Sequence, residues 1–178
     1  MRKPILRVPG ASAGGGTEDA RLYTVEVFIT SGPIAEKFAK KNKVISRTIQ
    51  IRGDQTLEDL HDAIFEAFDR EEEHMYEFQV GGKRPSDPKA RRYALPMAME
   101  EPIPGPRKPT GDVTRTRIGS LGLKVDSAFG YWFDFGDDWR HQINVVGIAE
   151  SAPPGKYPKI TRRVGQSPPQ YVDWDEEQ

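Results

Sequence analysis

The chain has 178 residues, a net charge of −1 at neutral pH and no cysteine. That length suits one domain with appendages and is enough to bury a core without covalent staples. The balanced charge gives no global field toward nucleic acid or an anionic membrane, and the missing thiols exclude disulfides and thiolate metal sites. No apolar run approaches the roughly 20 residues a membrane helix needs, and the basic start lacks the apolar stretch of a secretory signal. The expectation is a soluble, cytoplasmic protein with no membrane partner.

Residues 1 to 20 include a Gly-Gly-Gly run and read as a flexible lead-in. Leu22 to Thr30 alternates as a first strand, with Tyr23, Val25, Val27 and Ile29 inward. After Gly32-Pro33, Ile34 and Phe38 lie four apart and predict one or two helical turns on the core. Val44 to Ile51 is a second strand, with Ile45, Ile49 and Ile51 inward. Arg47 shares their parity, so it is expected either to snorkel from a strand end or to pair with a carboxylate.

Thr56 opens the clearest helix, TLEDLHDAIFEAFDR, with Asp59 three residues on as a short capping-box partner. Leu57, Leu60, Ile64 and Phe68 form its apolar stripe. Between Asp54 and Glu73 there are nine acids (Asp54, Glu58, Asp59, Asp62, Glu66, Asp69, Glu71, Glu72, Glu73) against one base, Arg70. The outer helix face is therefore acidic, which suits either solvent or a basic partner. Met75 to Val80 is a third strand, with Tyr76, Phe78 and Val80 inward.

Residues 83 to 117 hold seven of the fifteen prolines and little periodicity, and predict a long loop. Nine bases against four acids make this segment +5. One expectation is that it folds back onto the acidic helix face. The stretch Gly130 to Ile148 is the strongest hairpin signal. Tyr131, Phe133 and Phe135 on one strand, and Trp139, His141, Ile143 and Val145 on the other, all have odd numbers. A shared face then demands an even register sum and an odd-length loop. The simplest choice, Gly136-Asp137-Asp138, opposes Phe133 to His141, Tyr131 to Ile143 and Asp134 to Arg140. Residues 21 to 150 then make a single domain, and 151 to 178 make a proline-rich tail pinned by Tyr157, Ile160, Tyr171 and Trp174, with a mobile acidic end.

Two strands, a helix, a strand and a hairpin predict an α+β fold. It has a single mixed β-sheet of about five strands and one main helix packed on it. The run RTIQIRGDQTLEDLHDAIFEAF gives this core a ubiquitin-like, β-grasp-like character. The segments TLEDLHDAIFEAFD, HMYEFQVGG, YWFDFGDDWRHQINV and YPKITRRVGQSPPQY resemble the plasmid pRi ORF-three-like family over about residues 21 to 172. The chain differs by the inserted GPIAEKFAKKNK and by lacking the cysteines common near that family's C-terminus. The resemblance implies a plasmid- or mobile-element-associated protein. It brings no catalytic residue.

No residue pattern supplies chemistry directly. His61, His74 and His141 have no diagnostic metal spacing, no serine lies in a nucleophile motif, and phosphate-binding loops are missing. The expectation is no enzyme and no cofactor, but a non-catalytic protein-binding or adaptor module. The alternative is a DNA-associated accessory protein using the basic segment. Candidate binding residues are Lys83, Arg84, Arg91, Arg92, Arg107, Lys108, Arg115 and Arg117; a candidate pocket would gather Arg47, His74 and His141.

Overall fold

The computed structural model describes residues 19–84, 86–100, 108–173 and 175. In chain order the elements are β1 (Leu22–Ser31), α1 (Glu36–Lys41), β2 (Ser46–Arg52), α2 (Leu57–Ala67), β3 (Tyr76–Val80) and β4 (Arg91–Ala94). They continue with α3 (Met97–Glu100), β5 (Gly111–Asp112), β6 (Ala128–Phe133), β7 (Trp139–Ala149) and β8 (Lys159–Val164). The strands form one eight-stranded sheet in the order β5-β4-β3-β6-β7-β1-β2-β8. Only β4 and β5 pair in parallel; every other neighbouring pair is antiparallel.

This sheet corrects the expectation of five strands and a β-grasp core. The local phrase of strand, short turn and capped helix is present, but it is set in another topology. β1 is flanked by β7 and β2, both antiparallel to it, and α2 carries the chain across three strands from β2 to β3. The three extra strands come from segments with weak patterns. β4 and β5 lie inside the supposed loop of 83 to 117, and β8 lies inside the supposed tail. All three are short or at an edge, where a strand needs no continuous apolar face.

The core lies between α2 and one sheet face. Thr56 and Asp59 complete the capping box, and Leu57, Leu60, Ile64 and Phe68 are buried under the helix. Opposite them lie Tyr23, Val25 and Val27 of β1, Ile49 and Ile51 of β2, and Tyr76 and Phe78 of β3. The hairpin supplies Tyr131, Phe133, Trp139, His141, Ile143 and Val145, all buried as the alternation requires. Its register differs from the simplest one by two residues: Phe133 opposes Trp139 and Tyr131 opposes His141. The loop is five residues long, because Asp134 and Asp138 both take left-handed backbone at φ 53° and 58°. Phe135 consequently leaves the core face and packs on Trp132 at 4.2 Å. Arg140 pairs with Asp138 at 2.7 Å rather than with Asp134. Gly32 is needed where β1 ends, since a Cβ there would run into the Trp139 ring.

Two arginines are buried within this core, in opposite situations. Arg47 neither snorkels nor meets a carboxylate directly. Its Nε donates to the Ala67 carbonyl at 2.8 Å, and Nη1 donates to the carbonyls of Ser46, Val164 and Gly165 at 2.7, 2.9 and 3.2 Å. Nη2 donates to Ser167 Oγ at 2.9 Å. Arg70 instead lies 3.8 Å over the Trp139 ring, and its two Nη atoms have no hydrogen-bond partner among the described residues. Burial lowers both guanidinium pKa values, that of Arg70 to about 10.

These environments predict opposite responses to an apolar isostere. Arg47→Met strands several buried carbonyls and should cost about 2–4 kcal/mol. Arg70→Met removes a desolvated charge, keeps the volume and replaces a cation–π contact by a sulfur–aromatic one, so it should stay within about 1 kcal/mol of the parent. Urea unfolding of both variants checks this; equal losses would contradict the assignment.

Candidate functional site

The crossover from α2 to β3 sets one histidine over two tyrosines. His61 lies one helical turn beyond Leu57, on the buried side of α2. Its ring is parallel to Tyr76 of β3 at a 3.7 Å centroid separation. Its Nδ1 is 2.7 Å from the hydroxyl of Tyr131 on neighbouring β6, and its Nε2 is 2.9 Å from Glu73 Oε2 just before β3. Glu73 accepts the Nε2 proton while the Tyr131 hydroxyl donates to Nδ1; this tautomer satisfies both ring nitrogens and the Tyr131 hydroxyl. Burial lowers the His61 pKa to about 4, so the ring is neutral at neutral pH.

Around this dyad is a shallow groove of about 550 Å³, with Glu58, Asp62, His74, Tyr76 and Met97 in its wall. Burial, and then the proximity of other acids, raises the pKa of Glu58 and Asp62; burial also raises that of Glu73. Ligand atoms of His61, Asp62 and Glu73 all lie within 4.8 Å of one another, and this is the trio able to hold a metal ion among the described residues. Tyr76 also faces these acids; its hydroxyl is buried and has no partner among the described residues. At the rim His74 Nε2 donates to the Tyr171 hydroxyl at 2.8 Å and lies 3.4 Å from Asp134 Oδ2. Tyr171 donates in turn to Glu72 at 2.7 Å, which pushes its pKa up to about 12.

The residues singled out from sequence are distributed differently. Among the described residues, Arg47, His74 and His141 stand apart: Arg47 holds the C-terminal end of α2, and His74 stands at the groove rim. His141 is buried, 5.6 Å from the Phe68 ring, with its Nδ1 3.3 Å from the Tyr131 carbonyl. Of the basic segment, Lys83, Arg84, Lys108 and Arg117 are exposed. Arg91 is also exposed and donates to the Leu121 carbonyl at 3.1 Å. Arg92 is engaged with buried Glu77 at 2.6 Å, and Arg115 approaches Asp112 at 3.9 Å. Arg107 lies outside the described residues. The segment reaches α2 through its backbone: the amides of Leu57 and Glu58 donate to the carbonyls of Thr116 and Val113 at 2.9 and 3.1 Å. The described ion pairs of Arg92 and Arg115 thus run to Glu77 and Asp112, not to the acidic helix face.

The family model for plasmid pRiA4b ORF-3-like proteins matches residues 36–174. The chain belongs to that family. A search of curated proteins finds no match. Among solved structures the fold is similar to the crystal structure of a protein of unknown function, MM3350 from Methanosarcina mazei Go1. That match has a TM-score of 0.59 and 22% identity, and covers 80% of this chain and 69% of the other. At this identity the likeness shows a shared fold.

The sequence signal for His61 was available. An imidazole one turn from Leu57 and three residues before Ile64 belongs on the apolar stripe, and a polar ring there needs partners. Its partners were less visible, because Tyr131 and Glu73 meet it only through the β2–α2–β3 crossover.

Neutral buried histidines predict an acid-sensitive fold. Burial lowers His61 to about 4 and His141 to about 3, from an ordinary 6.5. The unfolded chain therefore takes up these protons first. Stability tied to the neutral rings is complete above about pH 6.5 and is lost as pH falls from there through the folded values. From about pH 6.5 to 5 the loss should approach roughly 2 kcal/mol per histidine. The raised acids Glu58, Asp62 and Glu73 act in the opposite direction. Urea midpoints across it should fall with pH, and His141→Gln should flatten the slope.

Proposed function

We propose that this protein is a non-catalytic binding module whose acidic α2 face receives a basic segment of a protein partner. Glu58, Asp62 and Glu66 stand at four-residue spacing and so form one line along the helix. Asp69, Glu71, Glu72 and Glu73 follow the helix, all exposed, and Glu73 returns beside His61 and Asp62. The observation that carries the reading is this group of carboxylates, three of which (Glu58, Asp62 and Glu73) have raised pKa values. Like charges held together in a partly desolvated groove favour a cation.

The non-catalytic part of the proposal rests on the dyad itself. The hydroxyl beside His61 belongs to Tyr131, which is buried, so a substrate has no access to it. Burial also raises the pKa of that hydroxyl well above its usual value, which suits a structural hydrogen bond better than a nucleophile.

A fluorescent peptide of alternating lysine and arginine should bind the full chain, more weakly as salt rises. Glu58→Gln with Glu66→Gln should weaken that binding severalfold without loss of stability, since both are on the outer helix face. Retention on duplex DNA with a salt slope of several charges, together with no peptide binding, would instead support a DNA-associated accessory role through the basic segment.

A further inference from the structure

We propose that His61 Nε2 and the carboxylates of Asp62 and Glu73 form a site for a first-row divalent cation of the zinc or manganese type, with the Tyr76 hydroxyl bound to a water on that ion. The inference stands apart from the partner reading and shares only the Asp62 and Glu73 carboxylates with it.

The trio has ligand atoms within 4.8 Å of one another, and the closest pair, His61 Nε2 and Glu73 Oε2, is at 2.9 Å. Two ligands at about 2.1 Å from a metal and near a right angle lie about 3 Å apart, so this pair already has a coordination-edge spacing. Asp62 and Glu73 are exposed side chains, and their carboxylate oxygens already lie within 4.8 Å of each other and of Nε2. One imidazole with two carboxylates and no thiolate suits borderline divalent ions; it disfavours copper(I), and the nitrogen disfavours calcium and magnesium.

The surroundings supply what such a site requires. A metal-bound imidazole needs its second nitrogen held, and the Tyr131 hydroxyl at 2.7 Å from Nδ1 does this. Loading switches the tautomer: the hydrogen leaves Nε2, one moves onto Nδ1, and the ring stays neutral with a single N–H that hydrogen-bonds to Tyr131 Oη, whose own hydrogen stays on the oxygen. The Tyr131 hydroxyl changes from donor to acceptor at that bond. Tyr76 provides the independent pointer to a ligand. It is 2% exposed, lines the groove, stacks on His61, and carries a hydroxyl with no partner among the described residues. A buried hydroxyl without a partner is costly. A metal-bound water beside Asp62 and Glu73 gives it one.

The test uses the full chain after chelator treatment, titrated by calorimetry with zinc chloride and manganese chloride and with magnesium chloride as comparator. Wild type should bind zinc or manganese at one ion per chain, more tightly than magnesium, with a rise in Tm. Electron spin echo spectra of the manganese form should carry an imidazole nitrogen coupling. Asp62→Asn with Glu73→Gln, both exposed and expected to leave the fold intact, should weaken binding at least about tenfold. Glu58→Gln with Glu66→Gln should bind the ion within a few-fold of wild type while weakening the basic peptide. Tyr76→Phe should leave or raise the Tm of the metal-free chain and weaken the ion severalfold. No one-to-one binding by wild type, absence of the nitrogen coupling, or equal losses in the two double variants would overturn the site and leave only counterions on an acidic face.

Discussion

One guanidinium connects parts of this fold that lie far apart in sequence. Arg47 is on β2, yet its donors reach the last carbonyl of α2, two carbonyls at the end of β8 and a hydroxyl beyond it. A helix end leaves carbonyls unpaired and carries partial negative charge, so a cation at Ala67 satisfies both needs at once. Arg163 donates to the same carbonyl and lies 3.6 Å from Asp69, which accepts from Ser167 at 2.5 Å. The helix end, the edge strand and the following segment are therefore tied to one buried charge. Arg47 also lies 4.9 Å from the Phe68 ring, which covers the guanidinium on its apolar side.

The other end of α2 is held by different means. The capping box turns Thr56 and Asp59 onto each other's backbone amides, with the Thr56 amide 2.8 Å from Asp59 Oδ2. The next two amides are satisfied by carbonyls of the segment after β5. Arg117 completes this contact through an isolated bridge to Thr56. Thus the segment that resembles a basic loop in composition serves, at its C-terminal end, as a backbone clamp on a helix start. Its composition reports the solvent-facing side chains and says little of its carbonyls.

That distinction marks what could be read from the sequence. The period-two pattern of β1, the capped stripe of α2 and the aromatic hairpin were legible because each buries one full face. Arg47 was visible as a parity violation, although its partners were not, since backbone carbonyls leave no trace in a sequence. β8 reads KITRRV and has its side chains largely exposed, so no alternation could reveal it. β4 contributes only Tyr93 and Ala94 to the core, and β5 is two residues long. The β-grasp reading failed for the same reason. A sheet counted from well-patterned strands alone omits its edges, and without them the helix crossover is placed on the wrong frame. The shifted hairpin register has a separate origin: parity fixes the face but not the loop length, and two aspartates adopting left-handed backbone supplied two more loop residues.

The candidate site follows from that frame. Because α2 spans β1, β7 and β6 to reach β3, its middle turn passes over the seam between β6 and β3, where aromatic residues from both strands face the helix. Leu60 and Ile64 join the apolar core there, but position 61 meets the Tyr131 hydroxyl of β6 and the face of the Tyr76 ring of β3. An apolar residue at 61 would leave the Tyr131 hydroxyl buried without its imidazole partner. Histidine satisfies that hydroxyl and projects its second nitrogen toward Glu73 at the surface. The ring therefore joins a buried hydroxyl to an acidic rim. The Tyr76 hydroxyl is the atom in this arrangement that no described residue satisfies, and it lies on the side where the carboxylates gather. Packing alone would be served as well by phenylalanine at that position, so the hydroxyl directs attention to the groove rather than to the core.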